Sequence, residues 1–285
     1  MSAPSPTEAS REGRVGLLLV APALLLVLAL FAFPLGLSLV SALRDPAGDW
    51  STANLEKAVE LYRSDILFTL VMVTAATALS GLLAVALAGW LATSGSRRVL
   101  ALLRWLYRLP LFVPFVVAAQ TMSSFLAKNG LMNHALVSAG LIEPLQAQSF
   151  LDWRGVLVTF VWKQAPFVTL MVAGAMAALD RGLIEAARNC GASRPRLVLE
   201  ILVPLVRPTL LVGLVLSFVT MLSVLSVPVM INAGSPTLIT VDMAYRITAH
   251  GDYGVANALG LISCLMAAGA AWLYLRTSLG QRERA

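Results

Sequence analysis

The sequence is poor in charged residues. Asp, Glu, Lys and Arg make up only 13% of its 285 residues, whereas about a quarter of an ordinary soluble domain is charged. Hydrophobic residues reach 58%. This balance argues against a soluble globular domain and indicates a protein that lies in a membrane.

The residues that bind metals, form disulfides or hold phosphate are also scarce. Neither histidine, His134 or His250, has a carboxylate or cysteine neighbour of the kind that metal sites use. The lysines follow Glu, Ala and Trp, so none completes the Gly-Lys-Ser/Thr sequence of an ATP-binding loop. The two cysteines lie at different predicted depths, which argues against a disulfide. We therefore expect no metal, no cofactor and no catalytic activity in this chain.

The chain contains six apolar runs that are each long enough to cross a membrane. About 20 residues of helix span the ~30 Å hydrocarbon core, because each residue adds about 1.5 Å. The first run is too long for the core of a signal peptide, so it is expected to be retained as a span. The pattern predicts an all-α membrane protein with six transmembrane helices, whose runs cover approximately residues 15–42, 66–93, 101–127, 155–179, 205–231 and 254–275.

Most of the 21 basic residues lie in alternate segments of the chain. They cluster in the 1–14 tail, in the loop after the second run, in the 180–208 loop and in the 277–285 tail. Basic loops of membrane proteins stay in the cytoplasm. The sequence therefore predicts a six-span domain over 15–276, with both tails and the 180–208 loop cytoplasmic. This topology explains the net charge of +6, so no nucleic-acid partner is expected.

A polar, Arg-rich segment separates the fourth and fifth runs, with the sequence EAARNCGASRPRLVLEILVPLVRP over 185–208. Gly182 is expected to end the helix before it. Residues Leu183 to Cys190, which contain the Glu-Ala-Ala triplet at 185–187, are expected to form a short helix of their own. Gly191 is expected to end that short helix, because glycine adopts left-handed backbone angles without a steric penalty. Ser193 is suited to begin the next helix as its N-cap. An ordinary connection between helices is the alternative, since such a triplet alone is common by chance.

This segment resembles the EAA loop of type I ATP-binding-cassette importer permeases. The resemblance lies in the order of the Glu-Ala-Ala triplet, Gly191 and the Ile-Leu-Val-Pro sequence at 201–204. The resemblance extends over nearly the whole chain after residue 15. It implies that the 180–208 loop carries a coupling helix that docks into a groove of a cytoplasmic ATPase. It also implies a set of coupling residues, namely Glu185, Ala186, Ala187, Arg188, Gly191, Ala192 and Ser193.

The resemblance further implies partners and a location. A permease of this family pairs with a second permease subunit, identical or different, and is driven by a cytoplasmic ATPase dimer that hydrolyses the ATP. An extracytoplasmic solute-binding protein delivers a small-molecule solute. The expected location is the cytoplasmic (inner) membrane of a bacterium, with the spans embedded in the lipid bilayer.

Two branches of the family share features with the chain. Gly-Ala-Ser-Arg at 191–194 and Pro-Leu-Val-Arg-Pro at 204–208 are similar to the branch that serves polyamines, ferric iron and phosphonates. Trp-Lys-Gln-Ala-Pro-Phe at 162–167 is similar to the carbohydrate branch. The first branch is the preferred expectation and the carbohydrate branch the second. The individual solute is left open, because the binding protein largely selects it.

Polar residues within the apolar runs are candidates for the solute path. Lys163 lies well inside the fourth run, where an unpaired buried charge is costly. Either it lines a cavity, where its charge would suit an anionic or hydroxyl-rich solute, or its stem reaches back to the outer interface. Hydroxyl groups of the other runs can instead bond to their own helix. The candidate set is Lys163, Gln164, Gln120, Thr220 and Ser223.

Two further patterns predict local structure. Proline removes a backbone donor and so is expected to interrupt a helix. The prolines concerned are Pro110, Pro114, Pro166 and Pro228. In the loop after the fifth run, Asp242 and Arg246 are four residues apart, which allows an ion pair on a short helix.

A secondary transporter driven by an ion gradient is the alternative function from another class. It would need paired carboxylates inside the spans, and none of the apolar runs carries a carboxylate well within its length. A membrane scaffold without a transport role is a third alternative.

Overall fold

The computed structural model describes residues 19–45, 48–94, 97–232 and 234–282, so the predicted 1–14 tail lies outside the described residues. Within these ranges the chain is helical and forms no β-strand. The helices are, in chain order, α1 (Leu19–Ala42), α2 (Ala53–Thr93), α3 (Arg97–Leu106), α4 (Phe115–Leu126), α5 (Leu131–Ser138), α6 (Trp153–Ala177), α7 (Arg181–Asn189), α8 (Arg194–Ser223), α9 (Ser226–Ile231), α10 (Ile239–His250) and α11 (Tyr253–Arg282).

Five of these helices, α1, α2, α6, α8 and α11, are long and apolar enough to cross a membrane. A sixth candidate is a bent pair, a broken span or a re-entrant segment, in which Arg98–Phe112 and Phe115–Ser138 meet at an angle of 107°. The prediction of an all-α membrane protein is confirmed, with a correction to the third run. Residues 101–127 do not form one straight helix, because the chain turns sharply between α3 and α4.

Two of the four prolines break a helix as predicted. Pro110 lies in a 3₁₀ turn, Leu109–Phe112, and Pro114 immediately precedes α4. The prediction is wrong for Pro166, which is buried inside the uninterrupted α6. Membrane helices tolerate such a proline where neighbouring groups can satisfy the freed carbonyl. Pro228 lies within α9. The fifth apolar run is interrupted before this proline, between the end of α8 at Ser223 and the start of α9 at Ser226.

The centre of the bundle is the pair α2 and α6. Their middle turns contribute Met72 and Phe160 to an apolar cluster that also takes Phe218 of α8. A second cluster, built around Val172 and Leu197, lies at the end of the bundle that carries α7, which we call the α7 end. A third lies where α2, α10 and α11 meet, which we call the α10 end. The two ends are therefore held by separate apolar clusters.

The first span is placed outside this packed centre. None of the residues in its most apolar stretch is buried, and its main partner is α11. Ser38 donates a hydrogen bond to Asn257 at 2.7 Å, and the Asn257 amide donates to Ser41 at 3.0 Å. Polar pairs of this kind hold membrane helices together where apolar packing alone is weak.

Candidate coupling site

The short helix α7 has a defined beginning and end. Asp180 is its N-cap, and the Asp180 carboxylate accepts a hydrogen bond from the Gly182 amide at 3.0 Å. At the other end, Gly191 has a φ of +80°, its amide donates to the Arg188 carbonyl, and the Ala192 amide donates to the Ala187 carbonyl. These two bonds form a Schellman motif. The predicted left-handed turn at Gly191 is confirmed.

The prediction that Gly182 ends the preceding helix is wrong. The preceding span α6 ends at Ala177, and Gly182 lies in the first turn of α7. The reason is local, because the Asp180 side chain satisfies a free amide at the start of α7 and so favours a helix start at this place.

One face of α7 packs against the bundle. Ile184 and Ala187 contact the apolar cluster at the α7 end. The guanidinium of Arg188 donates a hydrogen bond to the Thr93 carbonyl, the last residue of α2, at 2.7 Å. In this subunit Ala187 and Arg188, both among the predicted coupling residues, attach α7 to the ends of the spans.

The other face of α7 is exposed. Glu185 and Ala186 lie on it, and Glu185 has no hydrogen bond or ion pair with any described residue. Beyond the turn, Ala192 is half-buried, and Ser193 is the N-cap of α8, as predicted, although its side chain makes no capping bond. The candidate coupling residues are thus brought together at one end of the bundle and divided between an attached face and a free face.

Lys163 lies in the interior of the subunit, with only 7% of its surface exposed. Its ammonium group donates to the carbonyls of Pro110 at 2.6 Å and Val113 at 2.5 Å, and lies 4.9 Å from the centre of the Phe115 ring. These groups form the bend between α3 and α4. The side chain therefore reaches neither the outer interface nor an open face of this subunit. Gln164, its neighbour, is also buried.

The other candidates for the solute path lie on open surface. Gln120 of α4 and both Thr220 and Ser223 of α8 are exposed. Thr220 and Ser223 donate to carbonyls of their own helix, four residues earlier, at 2.7 and 3.1 Å. The alternative of bonding within the helix is thus realised for both hydroxyls. A hydroxyl bonded in this way keeps acceptor capacity for another group.

At the α10 end, sequence reasoning missed the carboxylate of Asp65 and the burial of Asp242. Asp65 of α2 accepts a hydrogen bond from the Thr237 amide at 2.8 Å, and Asp242 of α10 is 7% exposed with one carboxylate oxygen unpaired within the described residues. Burial, followed by the nearby Asp65 charge, raises the pKa of Asp242 to about 7, although Arg246 acts in the opposite direction. The sequence signal for this site is Asp65, a carboxylate directly before the second apolar run.

Arg246 does not form the ion pair predicted with Asp242. Its guanidinium donates to the Tyr62 hydroxyl at 2.6 Å and lies 3.6 Å from Asp252, which also pairs with Lys57 at 3.0 Å. Tyr62 is at the kink of α2. The Tyr62 hydroxyl, at this kink, lies close to α10. Arg246 therefore contacts α2 through Tyr62 and does not pair with Asp242 on its own helix.

A bundle of membrane-length helices with a short, capped helix exposed at one end is the architecture of an integral membrane protein. The chain belongs to the family described as binding-protein-dependent transport system inner membrane component, which its residues 81–278 match. Members of this family are permease subunits of ATP-binding-cassette importers and are not catalytic. The alternative of a secondary transporter is not supported.

Relatives of known activity match most of the chain. A trehalose/maltose transport system permease protein, MalF, of Thermococcus litoralis is 26% identical over 96% of each chain. The sn-glycerol-3-phosphate transport system permease protein UgpA of Salmonella typhi is 30% identical over 84% of this chain and 83% of its own. A spermidine/putrescine permease protein, PotB, of Haemophilus influenzae is 24% identical over 56% of each chain. Both branches noted in the sequence are therefore represented.

Solved structures share the fold. A chain of a bacterial ABC transporter involved in the import of the acidic polysaccharide alginate matches with a TM-score of 0.77 and 20% identity, over 95% of this chain and 98% of that one. The MetNI methionine ABC transporter, in an inward-facing conformation, matches with a TM-score of 0.59 and 18% identity over 78% of this chain and 96% of its own. The architecture is that of type I importer permeases.

Proposed function

We propose that the chain forms half of the translocation pathway of an ATP-driven importer and that α7 is its docking point for a cytoplasmic ATPase dimer. ATP hydrolysis then takes place on that separate subunit. The observation that carries this proposal is the division of α7 into two faces. Arg188 attaches the helix to α2, while Glu185 and Ala186 are free to contact a partner.

The packing of α7 provides a route for mechanical coupling. Ile184 and Ala187 contact the cluster formed by α6 and α8, and Arg188 holds the end of α2. A force applied to the free face of α7 therefore acts on three spans together. When ATP closes the ATPase dimer, this contact moves the spans so that the cavity opens towards the binding protein.

The orientation follows from the charges. The α7 end carries Arg188, Arg194 and Arg196, and basic segments stay on the cytoplasmic side. We place α7 and both termini in the cytoplasm and the α10 end outside, in the inner membrane of a bacterium. The α10 end then faces the extracytoplasmic solute-binding protein.

A second permease subunit, identical or different, would complete the pathway. Helices α4 and α8 expose apolar side chains such as Val116, Val117 and Leu216. Three polar residues are exposed on the same helices, namely Gln120, Thr220 and Ser223. We propose that these three line the cavity between the subunits, whereas Lys163 and Gln164 support it from within.

For the solute, we propose a sugar or a sugar-derived compound. Three relatives match more than four-fifths of both chains, and by their names they transport trehalose/maltose, sn-glycerol-3-phosphate and sulfate, so two of the three carry a sugar or a polyol derivative. The polyamine permease matches just over half of each chain. Hydroxyl and amide side chains on the exposed faces of α4 and α8 suit such a solute.

The substitution Glu185→Lys tests the docking role. Reversal of a charge at a buried contact costs about 2 kcal/mol or more of association free energy, so the variant should insert normally but lose the ATPase during purification. Glu60→Lys is the matched control, because Glu60 is exposed near the α10 end. The measurement is co-purification of the ATPase with the permease, together with ATPase activity in proteoliposomes. Equal recovery with both variants would show that α7 is only a connection.

A further inference from the structure

We propose that the cavity beside α7 is a binding site for an anionic phospholipid. The cavity has a volume of about 530 Å³ and lies between α3, the last turns of α2 and α6, and α7. Its lining has a basic part and an apolar part, and it includes Ile184, Glu185 and Arg188 of α7.

The basic part carries three guanidinium groups against one carboxylate. Arg104, Arg108 and Arg188 line the cavity together with Glu185. None of these arginines forms an ion pair with a carboxylate in the described part of the chain. Positive charges that are close together and not paired with carboxylates repel one another. The cavity therefore favours a ligand that carries negative charge.

Two of the arginines are oriented by the protein itself. Arg188 is held by its hydrogen bond to the Thr93 carbonyl, and Arg108 donates to the Tyr107 hydroxyl at 3.3 Å. Arg104 lies in the last turns of α3 and Arg108 just beyond its end, and both line the cavity. Phosphate oxygens accept hydrogen bonds from several guanidinium groups at once, which this arrangement allows.

The apolar part is formed by Leu100, Leu170, Leu179 and Ile184. The lining residues of α6 extend from 170 to 177, which is about 10 Å along a helix axis. These residues belong to the fourth span, so this part of the cavity lies at the depth of the acyl chains. A small soluble anion would leave it uncovered, whereas a lipid fills both parts.

The position of α3 supports access from the membrane. Leu102 and Leu106 are exposed on the side of α3 away from the arginines. A helix with an apolar face and a basic face lies at the membrane surface and attracts anionic lipids. The headgroup can therefore reach the arginines while its acyl chains remain among the lipids around α3.

Native mass spectrometry of the full chain, released from detergent micelles, tests the site. The probes are phosphatidylglycerol, phosphatidylcholine and inorganic phosphate. We expect phosphatidylglycerol to bind in preference to phosphatidylcholine. The pair Arg104→Gln and Arg108→Gln should weaken phosphatidylglycerol binding roughly twenty- to thirty-fold, since each arginine near an anionic lipid contributes about five-fold. Arg98→Gln removes an exposed arginine of the same helix that does not line the cavity, and it should have no effect.

A second variant tests the apolar part without touching a charge. Gly174 lines the cavity, and a Cβ at this position would meet no atom within 4 Å. Gly174→Leu should therefore fill the acyl space and weaken phosphatidylglycerol binding while the chain stays folded. Gly269→Leu is the control, because Gly269 lies on α11 with the same free space.

Two outcomes would overturn the proposal. One is equal phosphatidylglycerol binding by the parent, the double arginine variant and Gly174→Leu. The other is displacement of the lipid by inorganic phosphate at the same concentration, which would identify a site for a soluble anion.

Discussion

Gly191 combines a φ of +80° with open space around the position of a Cβ. A substitution there causes backbone strain without a steric clash, and a left-handed conformation costs an L-residue about 1–2 kcal/mol. Gly191→Val should therefore uncouple transport from ATP hydrolysis, whereas Gly191→Asn should retain coupling, since asparagine tolerates this conformation. The measurement is solute-stimulated ATPase activity in proteoliposomes.

The protein contains its own control for this prediction. Gly140 ends α5 in the same kind of turn, with a φ of +69° and free space around it, on a loop beyond the α10 end of α4. Gly140→Val should cost similar backbone energy and leave coupling unchanged. If Gly140→Val and Gly191→Val behave alike, the effect is one of general stability and not of coupling.

Lys163 is buried at the bend between α3 and α4. Lys163→Met removes two hydrogen bonds from a charged donor, each worth about 1.5–3 kcal/mol, at the bend between α3 and α4. We expect faster hydrogen exchange of the amides over 109–118 and reduced uptake, with the ATPase still bound. Lys128→Met, on an exposed loop, should change neither. Normal exchange and uptake in the Lys163 variant would mean that the prolines alone hold the bend.

Among the elements, α10 has a built-in dependence on pH. The pKa of Asp242 is raised from 3.8 to about 7, so the folded protein keeps this proton where the unfolded chain has lost it. Stability should therefore fall as the pH rises from about 4 to 7 and then level off. Asp242→Asn should remove this dependence and give a higher Tm than the parent at pH 8, by about 2–4 °C for each kcal/mol recovered.

At pH 4 the parent and Asp242→Asn should melt at similar temperatures, because the loss of stability has barely begun at the pKa of the unfolded chain. Glu60→Gln, at an exposed carboxylate of α2, serves as the control and should follow the parent at both values. A constant difference between Asp242→Asn and the parent at pH 4 and pH 8 would contradict the assignment.

The elements differ in how far the sequence could predict them. The end of α7 follows from Gly191, because that turn depends on residues only a few positions apart. The bend between α3 and α4 is indicated by Pro110 and Pro114, but its direction depends on Lys163, some 50 residues later. The attached and free faces of α7 likewise depend on Thr93, 95 residues earlier. Structure that depends on neighbouring residues could be predicted from the sequence, whereas contacts between helices far apart in the chain could not.

For the whole molecule, the proposed orientation predicts which side of the membrane each loop occupies. In a background with Cys190→Ser and Cys264→Ser, single cysteines at Glu56 and Glu143 should react with an impermeant maleimide in intact cells. Cys190 alone should react only after the membrane is opened. All three positions are exposed, so access depends on the side of the membrane and not on burial. Labelling of Cys190 from outside would reverse the topology.

The pairing of α1 with α11 has a consequence for biogenesis. Ser38 and Asn257 are 219 residues apart, so the ribosome makes the first span long before the helix that it bonds to. Until α11 is made, Ser38 and Ser41 of α1 lack their hydrogen-bonding partner Asn257, and α1 is in the lipid bilayer without it. A nascent chain that stops before α11 would leave the Ser38 and Ser41 hydroxyls without Asn257, so the pairing of the first and last spans can form only when the chain is nearly complete.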